Sequence, residues 1–211
     1  FFISLLIMLA LKSLFSLPDY TDVRNVKFVY TMIITASITL ICVGITYRYI
    51  HKSQFKEIGF SWNKKTSALT LTLSTIIILG FFIFIIYVIN SNLVTLRAKI
   101  EFIPIIFLIL IYTGVSFNEE ILFRGYLHRF YKSYHIFIAY LISVPLFFLP
   151  HFINRNFEFS YIIALLSATL LITLLYDISK SLWPSIIIHT LLNIGLSLVS
   201  GGDNSGSILS F

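Results

Sequence analysis

Two adjacent carboxylates and an arginine lie close together in the stretch FNEEILFRGYLHRF, directly after the apolar run Phe102–Phe117. Glu119 and Glu120 repel each other, and a low-dielectric environment disfavours having both of them charged. Arg124 follows Glu120 by four residues, one helical turn on, and can neutralise one carboxylate. The other carboxylate is then a candidate general base. The alternative interpretation is a helix end at the membrane interface with a surface ion pair.

Two further polar pairs have helical spacing. Phe147 and His151 lie four residues apart in FFLPHFINR, so both point to one face of a helix. His189 and Asn193 have the same spacing in SLWPSIIIHTLLNIG and place an imidazole and an amide on one stripe of an apolar helix. Taken alone, His151 fits an interfacial or structural histidine. His189 and Asn193 taken alone fit a pair that makes interhelical hydrogen bonds.

Together, one or two glutamates, two histidines and an asparagine supply the groups that hydrolysis within a membrane requires. They provide a base, a second group that orients water, and two donors for a developing oxyanion. No serine or cysteine lies in a recognisable nucleophile motif, and the zinc-protease pattern HExxH is absent from the sequence. The pattern therefore predicts that the attacking group is water.

The composition indicates that these groups act in a lipid bilayer. Of the 211 residues, 58% are hydrophobic and 11% are charged, whereas ordinary soluble domains contain about 25% charged residues. The mean hydropathy is +0.94. These values exclude a soluble enzyme, a disordered chain, a collagen-like fibre and a disulfide scaffold. The single cysteine, Cys42, can form neither an internal disulfide nor a zinc site of its own.

Apolar stretches long enough, or nearly long enough, to cross a bilayer recur along the chain. There are seven: Phe1–Leu17, Val26–Tyr47, Ser67–Asn90, Phe102–Phe117, Tyr134–His151, Tyr161–Tyr176 and Leu182–Ser200. The fourth is short, but its helical pattern continues to about Tyr131. The alternating pattern of barrel strands is missing. We therefore expect an all-α, polytopic membrane protein. Its expected segments are N-terminal transmembrane helices over 1–100, catalytic helices over 101–200 and a flexible tail over 201–211.

The net charge of +6 is concentrated between two apolar runs. The stretch Arg48–Lys65 carries five basic residues and one acidic residue, a net charge of +4. This distribution is typical of a cytoplasmic loop under the positive-inside rule, and it does not indicate a nucleic-acid partner.

The chain opens without an initiator methionine, which indicates that further N-terminal residues are missing. Its frequent Ile, Lys, Asn and Phe residues are typical of an AT-rich bacterial genome. We therefore expect the protein in a bacterial plasma membrane.

The three motifs resemble those of the CPBP (Abi) family of intramembrane proteases. That family includes the type II CAAX prenyl endopeptidases and proteins of bacteriocin processing and immunity. Its patterns EExxxR, FxxxH and HxxxN occur here in the same order, and each lies within or at the end of an apolar span. The matching residues are Glu119, Glu120, Arg124, Phe147, His151, His189 and Asn193.

The resemblance implies a bundle of about seven to eight helices around a cavity that opens to the cytoplasm. By analogy, Glu119 and His151 would activate water, while His189 and Asn193 would stabilise the oxyanion. Glu120 and Arg124 would hold the motif helix in place, with Phe147 as a further supporting residue. The family has been described both with and without a metal. We favour metal-free chemistry, since an asparagine paired with His189 suits an oxyanion hole. A Zn²⁺ site would use Glu119, His151 and His189.

The leading hypothesis is an endopeptidase that cuts a membrane-associated peptide or lipidated protein, of the CAAX or bacteriocin-leader type. Its expected partners are membrane lipids and that substrate. A second hypothesis is a non-catalytic immunity or binding protein that has the same fold. A third is a proton-coupled transporter with Glu119 and His189 as its relay, although the sequence shows no internal repeat.

Overall fold

The structure is a computed structural model that describes residues 26–50, 52, 54–91, 95–96, 102–152, 159–200 and 209–210. The described chain is almost entirely helical, which confirms the all-α prediction. The predicted first span, Phe1–Leu17, lies outside the described residues.

Seven α-helices follow one another along the described chain. Their bounds are α1 Val26–Ile45, α2 Lys64–Asn90, α3 Phe102–Glu120, α4 Arg129–Lys132, α5 Ile136–Phe152, α6 Phe159–Ser179 and α7 Leu182–Ser200. A π-helical turn, Thr46–Ile50, extends α1, and a 3₁₀ turn, Phe55–Ile58, precedes α2. A π-helical segment, Ile121–His128, joins α3 to α4 without a break.

Four helical stretches are long and apolar enough to cross a membrane. They are Lys64–Asn90, Ile105–Lys132, Phe159–Ser179 and Leu182–Val199, and shorter apolar helices span Ile33–Tyr49 and Ile136–Phe148. Large apolar side chains on these helices are exposed, as is expected where lipid is the solvent. The protein is thus a multi-pass integral membrane protein. The count of seven to eight spanning helices and the central cavity remain predictions.

The chain divides into two compact units, and α2 and α7 contribute to both of them. Among the described residues, one unit contains those within 26–38, 71–117 and 190–210, and the other contains those within 39–70 and 118–189. In the first unit, Leu108 and Ile111 of α3 are buried among partly buried apolar residues that include Ile194 and Leu198 of α7. The two-residue strands β1, Thr95–Leu96, and β2, Leu209–Ser210, pair antiparallel in the same unit.

The second unit holds the π-helical segment close to the loop before α2. Gly125 makes this approach possible, because a Cβ atom there would lie 2.6 Å from Ile58 Cγ2 and 3.2 Å from Leu182 Cδ1. The Tyr47 hydroxyl donates to the Gly125 carbonyl oxygen at 2.8 Å. The segment that follows Glu119 and Glu120 is therefore fixed by side chains from two distant parts of the chain.

Candidate active site

The ion pair between Arg124 and Glu120 is almost completely excluded from solvent. Arg124 Nη1 lies 2.8 Å from Glu120 Oε1, and the two side chains are 2% and 0% exposed. The rest of the guanidinium is held by α6, because Arg124 Nε donates to Thr173 Oγ1 and Nη2 donates to the Thr169 carbonyl, each at 3.3 Å. A polar group left without a partner makes such a buried pair costly. Helix α6 supplies partners for the guanidinium, whereas Glu120 Oε2 has no hydrogen-bond partner among the described residues.

His189 lies between the two adjacent carboxylates of α3. Its Nδ1 is 2.8 Å from Glu120 Oε1, and its Nε2 is 3.6 Å from Glu119 Oε2. Since Glu120 already pairs with Arg124, the short contact is a charge-assisted hydrogen bond from His189 Nδ1–H to a carboxylate. That bond fixes the orientation of the ring and directs Nε2 towards Glu119.

Glu119 and Glu120 therefore occupy different environments, although they are neighbours in sequence. Glu120 is fully buried, and one of its oxygens accepts from both Arg124 and His189. The side chain of Glu119 is 24% exposed. Its Oε2 is nonetheless a buried atom that accepts no hydrogen bond from any residue that the structure describes. Glu120 Oε2 is likewise buried without a hydrogen-bond partner among the described residues, so the two carboxylates differ in their exposure and in the charge pairing of Glu120 with Arg124.

Phe147 is the residue around which the second motif is arranged. Its ring centroid is 4.9 Å from that of His151 and 6.0 Å from that of His189. Its face also receives the Arg124 guanidinium, with Cζ 4.5 Å from the centroid, a cation–π contact. One aromatic side chain from α5 therefore contacts residues of all three motifs.

His151 is oriented by the backbone of its own helix. Its Nδ1 lies 2.9 Å from the Phe147 carbonyl oxygen, and a carbonyl can only accept, so Nδ1–H is the donor. The tautomer that results leaves Nε2 as an acceptor when the ring is neutral. No hydrogen bond or ion pair between His151 and Glu119 or His189 is present among the described residues.

Asn193 is the one predicted site residue that belongs to the other compact unit. It follows His189 by one turn of α7, the spacing that the sequence shows. His189 belongs to residues 118–189, whereas Asn193 belongs to residues 190–211. The role of Asn193 as an oxyanion donor stays a prediction.

The candidate zinc ligands do not form a ligand set in this arrangement. In the described part of the chain, no group of three or more His, Cys, Asp or Glu side chains is placed to hold a metal ion. His189 Nδ1 is already engaged by Glu120, and its Nε2 is 3.6 Å from Glu119. His189 is therefore held by its hydrogen bond to Glu120, and metal-free chemistry stays a prediction.

Sequence reasoning missed the two threonines that hold Arg124. Thr169 and Thr173 lie four residues apart in the apolar helix α6, and the Thr173 hydroxyl also donates to the Thr169 carbonyl at 2.7 Å. Both are almost fully buried. Their spacing is a polar stripe of the type that identified His189 and Asn193, but it does not predict the contact of Thr169, which holds Arg124 through its backbone carbonyl.

A second polar network, which was also missed, lies nearer the end of these helices. His128 is fully buried, with Nδ1 3.1 Å from Ser143 Oγ and Nε2 3.2 Å from Asp177 Oδ2. Lys132 contacts the other oxygen of Asp177. Ser143 is itself buried among its neighbours, so this arrangement joins the π-helical segment to α5 and α6 and does not present a nucleophile.

Comparison with known proteins places the three motifs within one family match. Residues 101–195 match the model of the family described as type II CAAX prenyl endopeptidase, Rce1-like. No curated protein and no solved structure matches the chain. The matched segment is just under half of the 211 residues, and it contains every residue of the three motifs, from Glu119 to Asn193. The resemblance to the CPBP family is therefore confirmed for residues 101–195, which are similar to the type II CAAX prenyl endopeptidase, Rce1-like family.

Proposed function

We propose that this protein is an intramembrane endopeptidase that hydrolyses a peptide bond in a membrane-associated peptide or lipidated protein. One observation carries the proposal. A glutamate oxygen without a hydrogen-bond donor, Glu119 Oε2, lies 3.6 Å from a histidine whose ring is fixed by a second, charge-paired glutamate. Two carboxylates in contrasting environments are typical of a site where one acts as a base and the other has a supporting role.

In the proposed reaction, Glu119 accepts a proton from a water molecule, and the oxygen of that water attacks the carbonyl carbon of the substrate. His151 orients this water through Nε2, because its Nδ1 is occupied by the Phe147 carbonyl. A bond forms between the water oxygen and the carbon, and the carbonyl oxygen becomes an oxyanion. The C–N bond then breaks, and the leaving nitrogen takes the proton from Glu119. The products are a carboxylic acid and an amine, and proton transfer between them gives a carboxylate and an ammonium.

The oxyanion is stabilised by His189 Nε2–H and by the side-chain amide of Asn193. A donor role for Nε2 requires protons on both ring nitrogens of His189, because Nδ1–H donates to Glu120.

If Asn193 stabilises the oxyanion, Asn193→Ala should lower kcat by about 10²–10³ and leave the thermal unfolding temperature unchanged. Asn90→Ala, which removes an exposed asparagine from the end of α2, is the matched control. A normal kcat for Asn193→Ala would remove this residue from the mechanism.

The substrate class follows from the family match. CAAX-type endopeptidases by their description act on prenylated proteins, so a peptide with a lipid anchor is the first substrate to test. A peptide of the bacteriocin or leader type is the second. Both keep the scissile bond at the membrane, where the buried site of this protein lies.

The direct test is cleavage of a quenched fluorescent peptide library, with and without a lipid anchor, by purified protein in detergent. Wild type should cleave and Glu119→Ala should not. Glu57→Ala, which removes a half-exposed carboxylate outside the site, should cleave like wild type. A parallel series with a strong chelator tests a Zn²⁺ requirement. Tight binding of a substrate by wild type and Glu119→Ala alike, without cleavage by either, would contradict the proposal and favour a binding or immunity protein.

A further inference from the structure

Three segments of the second unit meet at one end of its helices, away from Glu119. The Leu182 N–H donates to the Gly59 carbonyl at 2.8 Å, and the Ser181 hydroxyl donates to the Ser61 carbonyl. These bonds hold the loop before α2 against the turn between α6 and α7. Lys132, at the end of α4, contacts Asp177 and brings the third segment to the same place. We call residues 57–65, 129–132 and 177–182 the basic corner.

Cationic side chains outnumber carboxylates in the basic corner by five to two. Glu57 forms an ion pair with Arg129 at 3.6 Å, and Asp177 contacts both Lys132 and His128. The other three cations are the exposed Lys64, Lys65 and Lys180. None of these three forms an ion pair with a carboxylate among the described residues. The corner therefore has an excess of positive charge that its own acidic residues do not balance.

The excess charge is crowded as well as unbalanced. The neighbouring ammonium of Lys132, partial burial and the charge of Lys65 lower the pKa of the Lys180 ammonium, whereas the charge of Asp177 opposes this shift. Lys180 also has a left-handed backbone, with φ of 56°, at a position after a helix where glycine or asparagine is usual. An anion bound at this ammonium group would offset the repulsion among the neighbouring cations.

Two tryptophans place this corner at the level of lipid headgroups. Trp62 is 53% exposed, and its ring centroid lies 6.3 Å from that of Trp183. Tryptophan is enriched where the hydrocarbon of a bilayer meets water. The four candidate spans agree with this level, because they begin or end here at Lys64, Lys132, Ser179 and Leu182.

We propose that Lys65, Lys132 and Lys180, beside Trp62, form a binding site for the phosphate of an anionic phospholipid. Ammonium groups supply donors and charge for a phosphate, and the tryptophan ring packs against the upper acyl chain. A basic pocket between helices at the membrane surface is the usual structure of such a headgroup site. The site is separate from the proposed peptidase chemistry, since it shares no residue with the three motifs.

The two tryptophans also provide the test, because Trp62 and Trp183 are the only ones in the 211-residue chain. Their fluorescence can be measured in nanodiscs that contain brominated phosphatidylglycerol or brominated phosphatidylcholine at equal mole fractions. The anionic lipid should quench wild type more strongly. Lys65→Gln/Lys180→Gln should reduce this preference by about ten- to thirtyfold, since each lysine near an anionic surface contributes about a factor of five. Lys132 is left intact because it contacts Asp177.

Two further variants keep the result interpretable. Arg48→Gln/Lys52→Gln removes two exposed cations that precede the basic corner in the chain, and this variant should retain the preference. Lys180→Gly removes one charge and suits the left-handed backbone, so it should fold and still lose part of the preference. Sodium chloride at about 1 M should weaken the preference of wild type for the anionic lipid, because salt screens the charges. Equal quenching by the two lipids in wild type, or an unchanged preference in Lys65→Gln/Lys180→Gln, would overturn the proposal.

Discussion

The two glutamates of the first motif have the same side chain and almost the same position, yet their neighbours give them different tasks. Glu120 is 0% exposed and contacts a guanidinium and an imidazole through one oxygen. Glu119 is partly exposed, and its contact with His189 is longer, at 3.6 Å. We therefore expect removal of Glu120 to affect mainly the fold and removal of Glu119 to affect mainly the proposed chemistry.

This difference predicts that two isosteric substitutions affect different properties, stability in one case and cleavage in the other. Glu120→Gln leaves the buried Arg124 without its counter-charge, and we expect it to lower the free energy of unfolding by about 3–5 kcal/mol. Glu119→Gln should leave stability unchanged and abolish cleavage. Thermal unfolding in detergent and turnover per folded molecule measure the two effects. A Glu119→Gln variant as active as wild type, or Glu120→Gln less active per folded molecule than Glu119→Gln, would reverse the assignment.

The local part of this site could be predicted from the sequence. Arg124 lies four residues after Glu120, and helical spacing alone indicated that it could neutralise one carboxylate. The contacts of His189 with Glu120 and of Arg124 with Thr169 join residues 69 and 45 positions apart. No spacing rule predicts such a contact, because it depends on which helix faces pack together.

At the scale of elements, the π-helical segment Ile121–His128 is the part that the apolar pattern did not reveal. An apolar run with helical periodicity predicts a helix but does not distinguish an α-helix from a π-helix. In contrast, the bounds of the predicted apolar stretches agree closely with those of the helices. The predicted stretch Leu182–Ser200, for example, has the same limits as helix α7. The segment is fixed by tertiary contacts at Gly125, where the close approach of Ile58 is invisible in a single sequence.

Gly125→Ala should therefore disrupt this junction. A Cβ atom would lie 2.6 Å from Ile58 Cγ2, and overpacking of this kind costs about 1–3 kcal/mol. We expect a lower unfolding temperature and a partial loss of cleavage, because the segment follows Glu119 and Glu120 directly. The double variant Gly125→Ala/Ile58→Ala should recover much of the stability, since it removes the obstructing methyl groups. Failure of this rescue would show that the clash does not limit stability.

The network around His128 connects three elements, and its two outer contacts are not equivalent. Asp177→Asn removes a charge that both His128 and Lys132 contact, so it should destabilise the protein strongly. Ser143→Ala removes one neutral hydrogen bond, which contributes about 0.5–1.5 kcal/mol. Urea or thermal unfolding of the detergent-solubilised protein compares the two. Equal losses of stability would mean that charge pairing at Asp177 contributes nothing beyond a neutral hydrogen bond.

At the scale of the whole molecule, composition determined most of what could be known in advance. A chain with 11% charged residues has to use lipid as its solvent, and exposed side chains such as Leu71 and Phe82 on α2 are consistent with that. The docking of the loop at Gly59 and Ser61 onto Ser181 and Leu182 could not be predicted. Its hydrogen bonds use backbone carbonyls and a common serine, which leave no trace in residue type.

The direction in which the chain crosses the membrane gives the last prediction. The net charge of +4 in Arg48–Lys65 predicts that this loop faces the cytoplasm, and α2, with 27 residues, spans about 40 Å against a hydrocarbon core of about 30 Å. Gln54 and Ser91 flank that helix and are both exposed, so they should be accessible from opposite sides.

Single cysteines at these two positions, in a Cys42→Ser background, allow a direct measurement with a membrane-impermeant maleimide. In intact cells the reagent should label Ser91→Cys and leave Gln54→Cys unlabelled, whereas after permeabilisation it should label both. The reverse pattern would place the basic loop outside. Positive charge would then fail to set the orientation, and the side from which substrate reaches Glu119 would have to be reassigned with it. Labelling of both positions in intact cells would show that α2 does not cross the bilayer.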